Sequence, residues 1–281
     1  MMTNRRKRRI LGAVFEALCV LAAGLAILAL SLILYYVFRR GIAVIDLTFL
    51  TNLPAPVGVA GGGIGNALIG SLLMVGLGAL IAVPVCIAAA VFLDQNPASK
   101  IASAARFATR VLSGVPSMVI GLFVFGQLVL RTGNYSALAG GMALSIVMAP
   151  VITLSAEEML RLVPSSQREA SMALGATKQQ TDFRLVLPGA AGGLIVGVML
   201  AIALAAGQTA PVLLTALTSR FWLGSLQQPT ASLPVLIYHY ATSPFADWQA
   251  QAWGAALVLV AAILVLNVTA QLFLGLSSRR R

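Results

Sequence analysis

Hydrophobic positions do not alternate or recur in narrow stripes along this chain; they run on. Six apolar runs, at about 10–38, 64–93, 107–130, 136–156, 189–217 and 250–276, are each long enough to cross roughly 30 Å of hydrocarbon as a helix. The fourth is the shortest and contains Pro150. The pattern predicts an all-α membrane protein with six transmembrane helices. The first run is too long for a signal-peptide core and no small-x-small cleavage site follows it, so it reads as a retained helix. One stretch breaks the pattern. Residues 157–188, between the fourth and fifth runs, are polar and helix-forming.

Composition supports this reading. The chain has 281 residues, 59% apolar and 10% charged, against about 25% charged for a soluble domain. The net charge of +11 would suit nucleic acid if it lay along one face. It sits instead at the ends of apolar runs, and Arg5-Arg6-Lys7-Arg8-Arg9 reads as a topology signal facing anionic lipid. Six spans put both termini on one side. That side holds 15 of the 19 basic residues and the other holds Arg39, Arg40, Arg131 and Arg220. The positive-inside rule places both termini and the 157–188 loop in the cytoplasm. Trp222, Tyr238, Tyr240 and Trp248 fall where an outer aromatic belt is expected. The external segments 39–63 and 218–249 are rich in Pro and Gly and fit either a seat for an external partner or passive connectors.

Little in the chain suggests catalysis. His239 is the only histidine, and no cluster has metal-ligand spacing. The three lysines, Lys7, Lys100 and Lys178, follow no Gly-x-x-x-x-Gly pattern. Cys19 and Cys86 lie in apolar runs and read as buried free thiols.

The polar island carries helix signals. Ser166-Gln167-Arg168-Glu169 has the capping-box form. A short helix should run to Leu174 and stop at Gly175, the residue suited to a left-handed cap. Thr177-Lys178-Gln179-Gln180 repeats the box and should start a second helix, and Pro188 suits the first turn of the fifth span. Ala170, Ala173 and Gly175 keep one surface thin, and Glu157, Glu158, Arg161 and Arg168 can rim it. On these residues alone, a capped surface loop and a docking surface are equally good readings.

The spacing Glu169-Ala170-Ser171-x3-Gly175-x9-Leu185-x-Leu187-Pro188 resembles the "EAA" loop of ABC importer permeases, with Ser171 for Ala and Leu185 for Ile. Val115–Phe123, Glu157–Pro164, Ala206–Pro211 and Pro244–Trp248 look like the PstA-type permeases of phosphate ABC importers, over roughly residues 60–270. The resemblance implies a type I importer permease fold. It divides the chain into a basic tail (1–9), a first helix and external loop (10–63), the permease domain (64–276, coupling loop about 157–188) and a second basic tail (277–281). It implies a seat on an ATPase formed by Ser166, Glu169, Ala170, Ala173, Gly175, Leu187 and Pro188. It implies partners: a PstC-type permease, a PstB-type ATPase dimer, a PstS-type phosphate-binding protein and membrane lipid. No cofactor would bind this chain, ATP and Mg being held by the ATPase.

Gly189, Gly193, Gly197, Ala201 and Ala205 form a small-residue stripe that fits packing within the subunit or between subunits. Ser113, Pro116, Ser117, Leu204, Gln208 and Thr209, with Asn66 and Thr153, are the candidates for a polar path. Pro116 should kink the third span, and the serines can equally bond back to their own helix. Leu204 and Gln208, four apart, should share a face. The resemblance would put Arg and Glu at these two positions. Their neutral pair leaves another oxyanion (a phosphonate, molybdate or tungstate), or a non-transporting scaffold or phosphate-sensing subunit, as alternatives to phosphate import. In all of them the chain is a bacterial inner-membrane protein and not an enzyme.

Overall fold

The computed structural model describes residues 2–56, 59 and 61–278, with the backbone alone for 2–7, 10, 270 and 273–278. Arg279, Arg280 and Arg281 lie outside the described residues. All regular structure among the described residues is helical. In chain order the elements are α1 (Met2–Gly41), α2 (Leu47–Thr51), α3 (Gly65–Gln95), α4 (Lys100–Ser113), α5 (Ser117–Val124), a π turn (Phe125–Val129), α6 (Leu130–Thr132) and α7 (Ala137–Arg161). Then come α8 (Ser165–Ala173), α9 (Lys178–Thr181), a second π turn (Asp182–Val186), α10 (Leu187–Ala206), α11 (Ala210–Thr215), α12 (Leu233–Ala241) and α13 (Ala246–Ser278).

Four of the expected spans are continuous helices: Leu11–Gly41, Gly65–Gln95, Ala137–Arg161 and Ala246–Thr269. The third and fifth are not as expected. The 107–130 run bends by 104° between Ser113 and Ser117. Pro116 does not kink a continuous span; it precedes α5 in an extended conformation (φ −56°, ψ 133°), and Gly114 and Val115 complete the corner. The physical reason lies in α4. Ile101, Phe107 and Val111 expose apolar surface beside the exposed cations Lys100 and Arg110, the composition of a helix that lies in an interface rather than across it. Only Ser117–Thr132 is left to penetrate, about 24 Å of helix.

The fifth span starts earlier and ends earlier than 189–217. A continuous helix runs from Lys178 to Ala206. Pro188 stands in the first turn of α10, as expected, although α9 and the π turn continue the helix ahead of it. The π turn just before it absorbs the misfit: Leu187 N–H reaches back five residues to the Asp182 carbonyl, so the ladder is already shifted where proline lacks its donor. The helix stops at Gly207, and α11 is a separate short helix packed on α5. A Cβ on Gly121 would lie 2.6 Å from Pro211 Cα, so only glycine permits that approach.

α7 is the centre of the bundle, with most of its side chains buried. Met74, Leu144, Met148, Ile152, Ala201, Ala205, Val212 and Val235 form its largest cluster. The small-residue stripe of α10 faces α7 inside the subunit: added Cβ atoms would lie 2.1 Å from Met159 Sδ at Gly193 and 2.7 Å from Ser155 Cβ at Gly197. The large residues Val196, Leu200 and Leu204 lie on an exposed face of α10. α1 stands apart, its apolar length exposed and joined to α13 near Gly41. Cys19 is exposed on it, contrary to expectation, while Cys86 is buried. Tyr240 is likewise buried and stacks on Trp248 at 4.7 Å, whereas Trp222 and Tyr238 stay exposed.

Close packing at glycine gives a direct test. A Cβ at Gly70 of α3 would sit 2.0 Å from the Ala231 carbonyl oxygen, and one at Gly76 would touch nothing. Gly70→Ala should destabilise by about 1–3 kcal/mol, and Gly76→Ala should be neutral or slightly stabilising. Thermal unfolding of the two purified variants checks this; equal midpoints would contradict the packing described.

Candidate functional site: the polar hairpin and its seat

α8 and α9 fold as a helix–turn–helix at one end of the bundle. α8 starts after Pro164, which carries no side-chain cap. Ser166 is thus already inside the first turn, and the expected box with Glu169 does not form. The C-terminal signal holds. Gly175 has φ +90°, its N–H donates to the Met172 carbonyl at 3.0 Å, and Ala176 N–H reaches the Ser171 carbonyl at 3.2 Å. These two bonds are a Schellman closure. The second box forms: Gln180 N–H donates to Thr177 Oγ1 at 3.2 Å, and Thr177 N–H to Gln180 Oε1 at 2.9 Å. Ser171 and Thr181 hydroxyls meet at 3.0 Å and tie the two helices together.

Charged side chains fasten the hairpin to the bundle instead of rimming its outer surface. Arg168 donates to Asp94 Oδ2 at 2.5 Å and to the Leu160 carbonyl at 2.6 Å. Gln95 donates to Asp182 Oδ2. Beside them, Glu157 Oε1 accepts from Arg106 Nε at 2.5 Å and from Arg161 at 2.6 Å, and Arg106 also donates to the Leu93 carbonyl at 2.6 Å. Of the expected rim residues, Glu157 and Arg168 are therefore internal fasteners, while Arg161 is exposed and pairs only within its own helix and Glu158 is exposed. Asp94, Gln95, Arg106 and Asp182 were not singled out by sequence. The available signal was a lone charge at the end of each apolar run, which looks the same for a solvated side chain.

What remains exposed on the hairpin mixes small, polar and apolar residues with the charges of Glu169, Lys178 and Arg184, unpaired among the described residues. Glu169, Ala170, Ala173 and Gly175 are exposed, with Ser166 and Pro188, and Leu187 is half-buried. Met172 and Phe183 are exposed, and Leu174 is 90% exposed. These three are the large apolar residues that the otherwise polar hairpin leaves exposed.

The path candidates do not converge. Ser113 is exposed and donates to its own helix, to the Arg110 carbonyl at 2.7 Å. Pro116 is exposed at the corner and Ser117 is half-buried. Leu204 lies on the exposed face of α10, but Gln208 comes after that helix has ended, so the two do not share a helical face. Gln208 instead lines, with Ser71 and Ser232, a void of about 10 Å³ among α3, α7, α10, α11 and the start of α12. Thr209 precedes α11 without capping it. Asn66 is buried and donates to the Ser219 carbonyl at 2.7 Å, and Thr153 is buried.

This architecture, a helical membrane bundle carrying a fastened hairpin at one end, defines a transport-system membrane component. The family model "Binding-protein-dependent transport system inner membrane component" matches residues 82–281. The chain is 38% identical over 240 residues to the phosphate transport system permease protein PstA of Yersinia pestis, covering 85% of this chain and 81% of that protein. It is 35% identical over 279 residues to PstA of Pasteurella multocida, covering 99% of each. The fold is similar to that of the inward-facing MetNI methionine ABC transporter, with TM-score 0.62, 18% identity and coverage of 75% of this chain and 94% of that one. The chain belongs to the PstA permeases of the binding-protein-dependent transport family.

Proposed function

We propose that this chain is the translocation subunit of an ATP-driven importer of inorganic phosphate in the bacterial inner membrane. The observation that carries the mechanism is the hairpin: it exposes Met172, Leu174 and Phe183 on an otherwise polar surface, while its inner side is bolted by Arg168–Asp94 and Gln95–Asp182 to the end of α3. The outer face of residues 166–175 docks on a PstB-type ATPase dimer in the cytoplasm, where both termini also lie. The ATPase holds ATP and Mg, and this chain supplies no chemistry. Closure of that dimer displaces α8, and the two polar fasteners pass the displacement into α3.

α3 is a 31-residue helix, about 46 Å long. Its far end is tied through Asn66 to the Ser219 segment, so movement at the hairpin reaches the opposite mouth. A PstC-type permease covers the exposed faces of α10 and α1, and a PstS-type binding protein delivers phosphate to the outer segments 39–63 and 218–249. Residues 64–276 are the permease domain, preceded by the first span and loop (10–63), with basic tails at 1–9 and 277–281. Ser117, Gln208 and Thr209 offer hydroxyl and amide groups to the passing anion at separate points of its path, the Ser113 hydroxyl being taken up by the Arg110 carbonyl. Pro116 keeps the α4–α5 corner open and Leu204 is the apolar neighbour. The names of the relatives support phosphate as the substrate.

Uptake of radiolabelled phosphate by cells that depend on this chain tests the substrate. Unlabelled phosphate should compete, and molybdate, tungstate and phosphonate should not. Uptake indifferent to excess unlabelled phosphate sinks the assignment.

A further inference from the structure

The end of the bundle opposite the hairpin holds a pocket of about 220 Å³ bounded by Pro54, Thr218, Ser219, Arg220, Leu236, His239, Tyr240 and Trp248. No carboxylate lines it. Arg220 lies over the Trp248 ring, 5.6 Å from its centroid, and none of its five N–H donors is hydrogen-bonded among the described residues. The contrast with the hairpin end is sharp in chemical terms. There Arg106, Arg161 and Arg168 each have a carboxylate at 2.5–2.6 Å. Here the guanidinium has only an aromatic face, which leaves its hydrogen-bonding fork free for a planar or tetrahedral oxyanion. The His239 ring touches Tyr238 and makes no described hydrogen bond.

The segment carrying Arg220 is held firmly. Leu217 has φ +58°, the only positive φ at a non-glycine among the described residues, a strained conformation that persists only where surroundings enforce it. The Asn66 amide holds the Ser219 carbonyl at 2.7 Å, and Thr230 N–H holds the Ala216 carbonyl at 3.0 Å. The wall behind Arg220 is also built: Trp248 stacks flat on Tyr240 and meets Phe245 edge-on. Tyr240 feels the guanidinium. Burial raises its phenol above the usual range and the Arg220 charge pulls back against that rise. A cation against apolar walls attracts an anion more strongly than the same cation in water.

We propose that Arg220, His239 and Thr218 form an entry site for a free tetrahedral oxyanion at the outer mouth, occupied before the anion reaches Gln208. The proposal rests on the importer reading for its direction of flow but not for its chemistry. The site needs only a multiply charged oxyanion small enough for the pocket. Arg220 supplies the bidentate contact, and His239 and the Thr218 hydroxyl supply further donors.

The test uses the importer complex purified through a tag on this chain, without its external binding protein, in lipid nanodiscs. Radiolabelled inorganic phosphate is the probe, with equilibrium dialysis as the readout. The native complex should bind phosphate saturably. Arg220→Gln and His239→Gln should weaken binding about tenfold or more, the loss expected for a charge-assisted contact, Arg220→Lys less, and Arg131→Gln not at all. Absence of saturable binding to any oxyanion, or equal binding by Arg220→Gln, overturns the site. If Arg220→Gln fails to assemble, His239→Gln and Thr218→Val decide on the same criterion. Binding of sulfate or molybdate through Arg220 without binding of phosphate leaves the site standing and removes phosphate as the substrate. Phosphate uptake by a complex whose Arg220→Gln variant binds like the native one does the reverse. If the change spares phosphate binding but weakens capture of the external binding protein, Arg220 contacts protein and the entry site is wrong.

Discussion

Gly175→Glu should abolish ATP-driven uptake while leaving the chain inserted at its normal level. Two effects combine. Gly175 has φ +90°, which costs any residue with a Cβ about 1–3 kcal/mol and loosens the Schellman closure between Ser171 and Ala176. The new carboxylate also lands beside Leu174 and Met172, on the face assigned to the ATPase, where burial without a partner is costly. No steric clash contributes, because a Cβ at Gly175 meets nothing within 4 Å. Ala170→Asp places a charge on the same face without backbone strain and should uncouple too. Gly175→Ala carries the strain alone and should retain part of the activity. Co-purification of the ATPase with each variant is the decisive measurement. If the ATPase still associates with both Gly175→Glu and Ala170→Asp, the docking face has been misassigned.

Glu157→Ala should be the most destabilising single change at the hairpin end. Glu157 and Arg106 have side-chain exposures of 6% and 13%. Removing the carboxylate strands a largely buried guanidinium, which typically costs about 3–5 kcal/mol. The same carboxylate also binds Arg161, whose side chain is 53% exposed. Arg161→Ala should therefore cost no more than about 1 kcal/mol, the range of solvent-screened pairs. Thermal midpoints of the purified variants separate the two. Equal losses would mean that Arg106 is not held by Glu157. The magnitudes decide the roles: Arg106–Glu157 locks α4 to α7, and Arg161 adds little to it.

Much of the site was legible one residue at a time. Gly175 as a left-handed stop and Thr177–Gln180 as a capping box are local events, completed within a few residues by their own backbone, so sequence reads them well. Ser166 misled for an equally local reason. Pro164 two residues earlier already fits the extended conformation that begins a helix, and Ser166 was taken into the first turn. The partners of Arg168, Arg106 and Gln95 were not legible. Their sequence separations are 74, 51 and 87 residues, and a charge ending an apolar run looks the same whether it meets water or a distant carboxylate.

The broken spans make the same point on a larger scale. Hydropathy averages over a window, so residues 107–130 read as apolar whether the run is straight or bent, and the corner at Gly114–Pro116 adds too few polar atoms to register. Likewise the α10 stripe could not reveal its partner, because glycine permits close approach to any helix. Only the position of Met159 and Ser155 assigns it to α7 within the subunit. The separation of Leu204 from Gln208 follows from Gly207 ending α10, which periodicity alone cannot see.

By itself, then, the sequence determined that the chain is a helical membrane protein with a capped polar hairpin before its penultimate span, because bilayer thickness and backbone capping act on contiguous residues. Only the tertiary structure decided which charges fasten that hairpin, where the helices break, and which arginine is left without a carboxylate. Those outcomes depend on side chains brought together from distant parts of the chain, and in a membrane such pairings are set by packing and by the cost of leaving a charge alone.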